Sequence, residues 1–334
     1  MKLTHSIRFT ALALLIVVLF ALDLAVGSVS IPLREVWASL TGGEVAASTV
    51  KIVRSIRLVK AVVALLAGAA LAVSGLQMQT LFRNPLAGPY VLGISSGASF
   101  GVALLLLGAP LLGLGGSSVI ASFGMAGAAW VGAAVILTMV AVLSRRIKDI
   151  MVILILGMMC SSGIDAVVQI LQYLSSEGAL KSFVIWTMGS LGDVTTPQLA
   201  LLAVAVVIGL VLAVAVIKPL NLLLLGEQYA RTMGLNIRRT RRMVFLSTTL
   251  LAGTVTAFCG PVGFIGLAVP HLARMLFREA DHRILIPASA LTGSAVLLVC
   301  DLISKLFTLP INTVTALMGI PIVVWVVWRH KTIA

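Results

Sequence analysis

About ten apolar runs, each on the order of 20 residues, follow one another along this chain, and charge is confined almost entirely to the gaps between them. Of 334 residues, 60% are hydrophobic and 10% are charged, where a soluble domain carries roughly 25% charged residues. There is too little polar side chain to cover a surface exposed to water, so most of the chain must have lipid as its solvent. In lipid every backbone N–H and C=O needs a partner within the protein, which leaves helices or a closed barrel. Barrel strands alternate in polarity. These runs are instead continuously apolar and rich in glycine, 30 residues in all, and small residues let helices approach closely. The expected class is all-α: a polytopic integral membrane protein with about ten transmembrane helices.

The candidate spans are 9–27, 58–78, 89–108, 119–143, 150–171, 198–217, 243–259, 263–277, 284–304 and 311–328. The stretch 243–277 is too long for one helix and short for two, with Gly260-Pro261 as its break. It reads either as a tight hairpin or as a re-entrant segment. Met1–Arg8 is basic and precedes an apolar run, the order of a secretory leader, but a run of about 19 residues carrying Asp23 fits a retained helix better. No long polar linker divides the chain. Residues 1–334 read as a single transmembrane domain with its largest inner loop at 218–242.

With the N-terminus inside, ten crossings put Arg34, Lys51, Arg54, Arg57, Lys60, Lys181 and Lys305 outside. The other 17 of the 24 Lys and Arg fall inside, the direction that the positive-inside rule requires. Both termini are therefore expected in the cytoplasm. The net charge of +13, which in a soluble protein would point to nucleic acid, is explained by topology and needs no such partner.

Several local patterns carry more specific meaning. Gly93, Gly97 and Gly101 recur at i, i+4 and i+8, and Gly124, Ala128 and Gly132 echo them in the next run. A helix face stripped of side chains either brings two backbones together or lines a broad passage. RNPLAGP at 83–89 places two proline breaks in quick succession and reads as a rigid inner turn. In the 218–242 loop, apolar Leu222–Leu225 precede Gly226–Leu235, which has the form of a short helix stopped by glycine. Such a piece either anchors in lipid or docks a cytoplasmic partner. Arg238, Arg239, Arg241 and Arg242 set topology and can also meet acidic lipid.

On the outer side Lys51, Arg54, Arg57 and Lys60 recur every third residue, as neighbours on a helix do. They either snorkel to headgroups or form an electrostatic dock for an acidic partner. Asp301 stands four residues before Lys305, the spacing of a helical ion pair. Asp165 lies within a span, where charge demands a reason. A water-filled path is one, and a proton relay, making the chain a proton-coupled secondary transporter, is the rival. His271 has no His or Cys at ligand spacing, so it reads as a packing or hinge residue, and no metal site is expected. Cys160, Cys259 and Cys300 lie in apolar stretches without CxxC spacing and read as packing residues. Neither GxxxxGK[ST] nor HExxH occurs. No catalytic residue and no nucleotide site are expected in this polypeptide.

Taken together, RSIR (54–57), GAALAVSGLQMQTLFRNPLAGPYVLGISSGA (68–98), IWTMGSL (185–191), LGEQYARTMGL (225–235), GPVGFIGLAVPHLARML (260–276), DHRILIPASALTGSAVLLVCDLISK (281–305) and LPINTVTALMGIPIVVW (309–325) resemble the FecCD-type permease family. These are the transmembrane subunits of type II ABC importers for iron-siderophores, haem and vitamin B12. The resemblance covers nearly the whole chain in order. It implies a multi-pass permease in a bacterial or archaeal inner membrane and a homodimer with the passage between subunits. It also implies two cytoplasmic ATPase subunits that bind the ATP and Mg, and an extracytoplasmic binding protein. Cargo is expected to be an iron chelate or a related metal complex such as haem or cobalamin. By the same resemblance Leu225, Gly226, Glu227, Ala230, Arg231 and Gly234 belong to the coupling helices that seat on the ATPase. Arg54 and Arg57 match arginines that dock on glutamates of the binding protein. Lys305 stands where a third arginine is usual, keeping charge and losing the bidentate fork. Ile56 replaces the family's proline between the arginines, and Thr308 replaces an acidic residue before the last outer LP.

Overall fold

A computed structural model describes residues 2–331 except 28, 30, 112–117, 144–146 and 148. Arg145, Arg146 and Lys148 of the inner-side charge count therefore lie outside the described residues. Among the described residues all regular structure is helical, without strands. Six helices are long and apolar enough to cross a membrane. They are α1 (Lys2–Ala25), α3 (Ala47–Leu81), α6 (Ile150–Leu174), α8 (Thr196–Ala215), α11 (Ile237–Cys259) and α13 (His282–Phe307). Four further apolar helices are shorter or bent: α4 (Ile94–Gly108), α5 (Ser118–Leu143), α12 (Ile265–Phe277) and α14 (Ile311–Lys331). Each apolar run of the sequence thus carries a helix.

Helix ends differ from the sequence reading where local chemistry sets them. The run 89–108 does not start as an α-helix: Pro89–Leu92 form a 3₁₀ turn, and Gly93 at φ 80° lets α4 begin only at Ile94. The helix α5 bends at Gly124. The loop 218–242 is mostly helix. It holds α9 (Ile217–Leu224), α10 (Glu227–Thr232) and the first turns of α11. The α11 start is fixed by Asn236, whose Oδ1 accepts the Arg239 N–H at 3.0 Å, an N-cap. Ile237, Thr240 and Val244 then face inward while Arg238, Arg239 and Arg242 face out. Two short helices were not legible as separate elements, α2 (Leu33–Thr41) and α7 (Glu177–Thr187).

Helix α3 lies at the centre. Every residue from Ala70 to Leu81 is buried, and α13, α12, α8 and α11 pack around it, while α4, α5 and α6 form a second group. The contacts are made backbone to backbone. A methyl group added at Gly68 would collide with the Gly293 carbonyl of α13, and one at Gly75 with the Gly266 carbonyl of α12. In the second group Gly97 and Gly101 meet Gly132 and Ala128 of α5 in the same way. Small residues are what make helix association favourable where lipid removes the hydrophobic drive.

Between α11 and α12 the chain leaves helical geometry at 260–264, with Gly260 at φ 73°. Non-helical backbone in such a protein must be bonded within it, and here it is. The Ser190 N–H donates to the Cys259 carbonyl at 2.8 Å, the Asn312 side chain accepts from the Gly263 N–H at 3.0 Å, and the Tyr90 hydroxyl donates to the Val262 carbonyl at 2.9 Å. The stretch 243–277 is thus two helices joined by a short non-helical connection, and the 13 residues of α12 reach only about 20 Å.

Replacing Gly75 by Ala is expected to cost about 3 kcal/mol or more, since overpacking against backbone cannot relax by side-chain rotation. Gly163→Ala, with open space around its site, is expected to be near neutral. Thermal melting of the two variants in detergent checks the difference.

Candidate functional site

Two clusters at opposite ends of the α3–α13 pair hold most of the residues singled out in the sequence. At the end expected to face outward, Arg54, Arg57 and Lys305 all converge on the ends of α1 and α2. The last carbonyls of a helix have no partner inside it and favour a cation. Arg57 donates to the carbonyls of Leu24 (2.8 Å), Ala25 (2.7 Å) and Val29. Arg54 donates from Nε to the Ser39 carbonyl at 2.6 Å and from Nη2 to that of Leu40 at 3.2 Å, closing α2. The Lys305 ammonium donates to the Asp23 carbonyl at 2.9 Å. It also pairs with the carboxylates of Asp23 at 2.7 Å and Asp301 at 3.0 Å. Lys60 meets the other oxygen of Asp301 at 2.9 Å.

The pair Asp301–Lys305 is the one that the i, i+4 spacing points to. Asp23 and Lys60 joined it unannounced. Both carboxylates are completely buried, and a buried acid needs a cation of its own because desolvating an unpaired charge costs several kcal/mol. Two acids matched by two lysines satisfy that need.

Of the three outer cations, Arg54 alone is exposed, together with Lys51; Arg57 and Lys305 are turned inward. The three-residue repeat suggested one basic face. It does not make one because Ile52–Arg57 is a widened, π-type stretch of helix, in which three residues cover less of a turn and successive members rotate apart.

At the opposite end, expected to face inward, α9 and α10 form a projecting corner. Gly226 joins them at φ 105° and ψ 149°, a region open essentially to glycine alone. The α10 helix closes with a full Schellman arrangement: the Gly234 N–H donates to the Arg231 carbonyl at 3.0 Å and the Leu235 N–H to that of Ala230 at 3.0 Å. Gly234 takes φ 82° there. The Glu227 carboxylate is held by Arg231 at 2.7 Å and by Arg241 of α11 at 3.0 Å, so α10 is clamped to α11. Ala230 is the fully buried contact beneath it. What projects outward is apolar: Leu225 is 63% exposed, Tyr229 52% and Met233 59%. An exposed apolar group rimmed by arginines marks an interaction surface.

The neighbouring inner turn is tied down as its two prolines suggest. The Asn84 side chain accepts the Leu86 N–H at 2.9 Å, and His271 of α12 bonds the Pro85 carbonyl at 2.9 Å. Gln79 bridges α3 to α12, donating to the Leu267 carbonyl at 3.0 Å and accepting from Arg274 at 2.7 Å.

Two other features bear on a passage. On α6, Ser162, Asp165 and Gln169 are exposed along one face, and only 11% of this span is buried, against 67% of α3. An open cleft lies where α7, α11 and the bend of α5 meet, lined by Met125, Trp186, Ser190, Asp193 and Phe258 among others. The stretch Gly93–Gly97 also spells GxSxG, the nucleophile-elbow pattern. That elbow requires a strand running into a helix, and Ser95 follows a 3₁₀ turn instead.

Known proteins are similar to this chain over nearly its whole length. The hemin transport system permease protein HmuU of Yersinia pestis is 35% identical over 95% of this chain and 94% of its own. The vitamin B12 import system permease protein BtuC of Klebsiella pneumoniae is 36% identical over 96% of this chain and 93% of its own. The molybdate import system permease protein MolB of Haemophilus influenzae is 32% identical over 96% and 95%. A solved metal-chelate type ABC transporter in an inward-facing conformation superposes with a TM-score of 0.83 at 29% identity, over 96% of this chain and 98% of that one. The family model matches residues 14–329, and the chain belongs to the FecCD transport family.

Proposed function

We propose that this chain is the membrane permease of an ABC importer that carries an iron chelate or a related metal complex such as haem or cobalamin, or a metal oxyanion, inward, with energy supplied by a separate ATPase. The observation that carries this reading is the projecting α9–α10 corner. It is an apolar tip on a rigidly clamped base, on the side where arginine is concentrated, as a part must be that receives a mechanical push from a soluble partner. Its relatives are named for hemin, vitamin B12 and molybdate, so the cargo class is a metal-containing compound.

In this reading Leu225, Gly226, Glu227, Ala230, Arg231 and Gly234 build the coupling corner, and ATP and Mg are held by the partner ATPase, with no cofactor in this chain. The functional unit is a homodimer. The polar face of α6 supports that assignment, because Ser162, Asp165 and Gln169 turned toward lipid would be costly, whereas facing a water-filled path between two copies they are solvated. A proton-coupled carrier built on Asp165 gains no support: one exposed carboxylate without a buried partner among the described residues makes no relay. Gly93, Gly97 and Gly101 act in packing α4, with the passage beyond them. At the outer face, Arg54 with Lys51 offers charge to an acidic binding protein. Arg57 and Lys305 hold the platform beneath by closing α1.

Gly226→Val is expected to leave insertion intact and abolish uptake while ATP hydrolysis continues, because a β-branched residue cannot hold φ 105°. Uptake in vesicles measured against phosphate release checks this, and tight coupling in the variant would remove the corner from the mechanism. Arg54→Glu is expected to weaken the binding protein about tenfold, mostly through slower, salt-dependent association. Surface plasmon resonance at two ionic strengths reads it, and unchanged association would place docking elsewhere.

A further inference from the structure

The α3–α13 pair is fastened at three levels. At the inner end Thr80 Oγ1 and His282 Nε2 are 2.8 Å apart, and both groups are buried. In the middle the backbones touch at Gly68 and Gly293, and the Ser294 hydroxyl donates to the Leu65 carbonyl at 2.8 Å. At the outer end Lys60 pairs with Asp301 at 2.9 Å. Lys60 and Thr80 lie about 20 residues apart, or about 30 Å of helix, the thickness of the hydrocarbon core. Two helices held at both faces and in between move together.

The inner fastening also reaches the coupling corner. Asn221 of α9 accepts at Oδ1 from both the backbone N–H of His282 (2.9 Å) and the ring nitrogen Nδ1 (2.7 Å), and its Nδ2 donates to the Asp281 carboxylate at 2.6 Å. Reversing the amide would set donor against donor and oxygen against carboxylate, so the orientation is determined. It fixes the imidazole in turn: Nδ1 carries the proton and Nε2 is left as an acceptor, facing at 2.8 Å a Thr80 hydroxyl whose single proton is shared with the Leu76 carbonyl of its own helix at 3.0 Å. Asp281 is at the same time the N-cap of α13, accepting from the Arg283 N–H at 2.8 Å. That backbone bond, helped by the Asn221 amide, holds the Asp281 carboxyl below its ordinary value, ionised and ready to accept both bonds. Leu220 and Leu223 complete the α9 contact by burial.

We infer that Asn221, His282 and Thr80 form the joint through which displacement of the α9–α10 corner is passed to the α3–α13 pair, and that this pair, moving as one rod, links the ATPase side of the membrane to the outer face at Lys60 and Lys305. These are positioning residues, since none of them touches cargo, nucleotide or the exposed tip at Leu225. The inference rests on the importer reading and adds the route by which the two faces communicate. It accounts for the outer cluster as well: the cations that close α1 and α2 sit on the far end of the same rod.

The test uses this chain with its ATPase in lipid nanodiscs, reading ATP hydrolysis with and without the binding protein. Asn221→Leu keeps volume and removes all three bonds. It is expected to lower the stimulation by the binding protein about tenfold, within the range for breaking one link of a coupling path, while the ATPase still copurifies. Thr80→Val removes one hydroxyl without changing shape, and is expected to lower the same stimulation about threefold, with Thr80→Ser restoring it. Stimulation in Thr80→Val equal to that of the unaltered chain would overturn the joint, as would a loss that Thr80→Ser fails to restore, which would make the contact structural only. If the unaltered chain neither retains the ATPase nor responds to the binding protein, it is the importer reading itself that falls.

Discussion

Contact between bare backbones at Gly68·Gly293 and Gly75·Gly266 is the constraint on which the remainder of this structure rests. In lipid there is no gain from hiding apolar side chains among apolar side chains, so helices associate through close packing and polar ties. Glycine at the crossings lets α13 and α12 lie directly on α3, and that closeness brings Thr80 within reach of His282 and Gln79 within reach of Arg274. A single added methyl at Gly75 pushes α12 away and loosens the polar contacts with it. The buried centre is rigid for this reason, and the moving parts must lie around it or carry it whole.

The two ends of that centre solve different problems. Outside, α1 ends next to buried acids, and cations from α3 and α13 divide the work: Arg54 and Arg57 close α2 and α1, Lys60 is a counter-charge, and Lys305 serves as both. Arg57 bonds three carbonyls, and Lys305 joins a carbonyl to two carboxylates. Inside, charge is used to clamp: Arg231 and Arg241 hold Glu227, and the apolar tip is left free above it. One end is closed by its charges, and the other is presented by them.

Much of this was legible in the sequence because it depends on local composition. The apolar runs, the proline-bound inner turn, the glycine-stopped helix at Gly226–Leu235 and the Asp301–Lys305 pair each follow from residues a few positions apart. What escaped depends on distant contact or on irregular helix. Asp23 and Lys305 are separated by 282 positions, and no spacing rule connects them. The basic repeat from Lys51 to Lys60 was read on a regular helix, but a widened turn at Ile52–Arg57 scatters it, burying Arg57 and leaving Arg54 outside. The inner loop at 218–242 was read as too little helix because its arginines obscured the inward stripe of Ile237, Thr240 and Val244.

Dependence on an external engine is the feature that separates this mechanism from every rival, and transport in a defined system measures it directly. Proteoliposomes holding this chain alone, or this chain with its ATPase and binding protein, would be loaded with ATP and offered hemin, cobalamin and molybdate in turn. Uptake of one of these only when ATPase, ATP and binding protein are all present is the expected result, with no response to an imposed pH gradient. Accumulation by the chain alone along a proton gradient would contradict it.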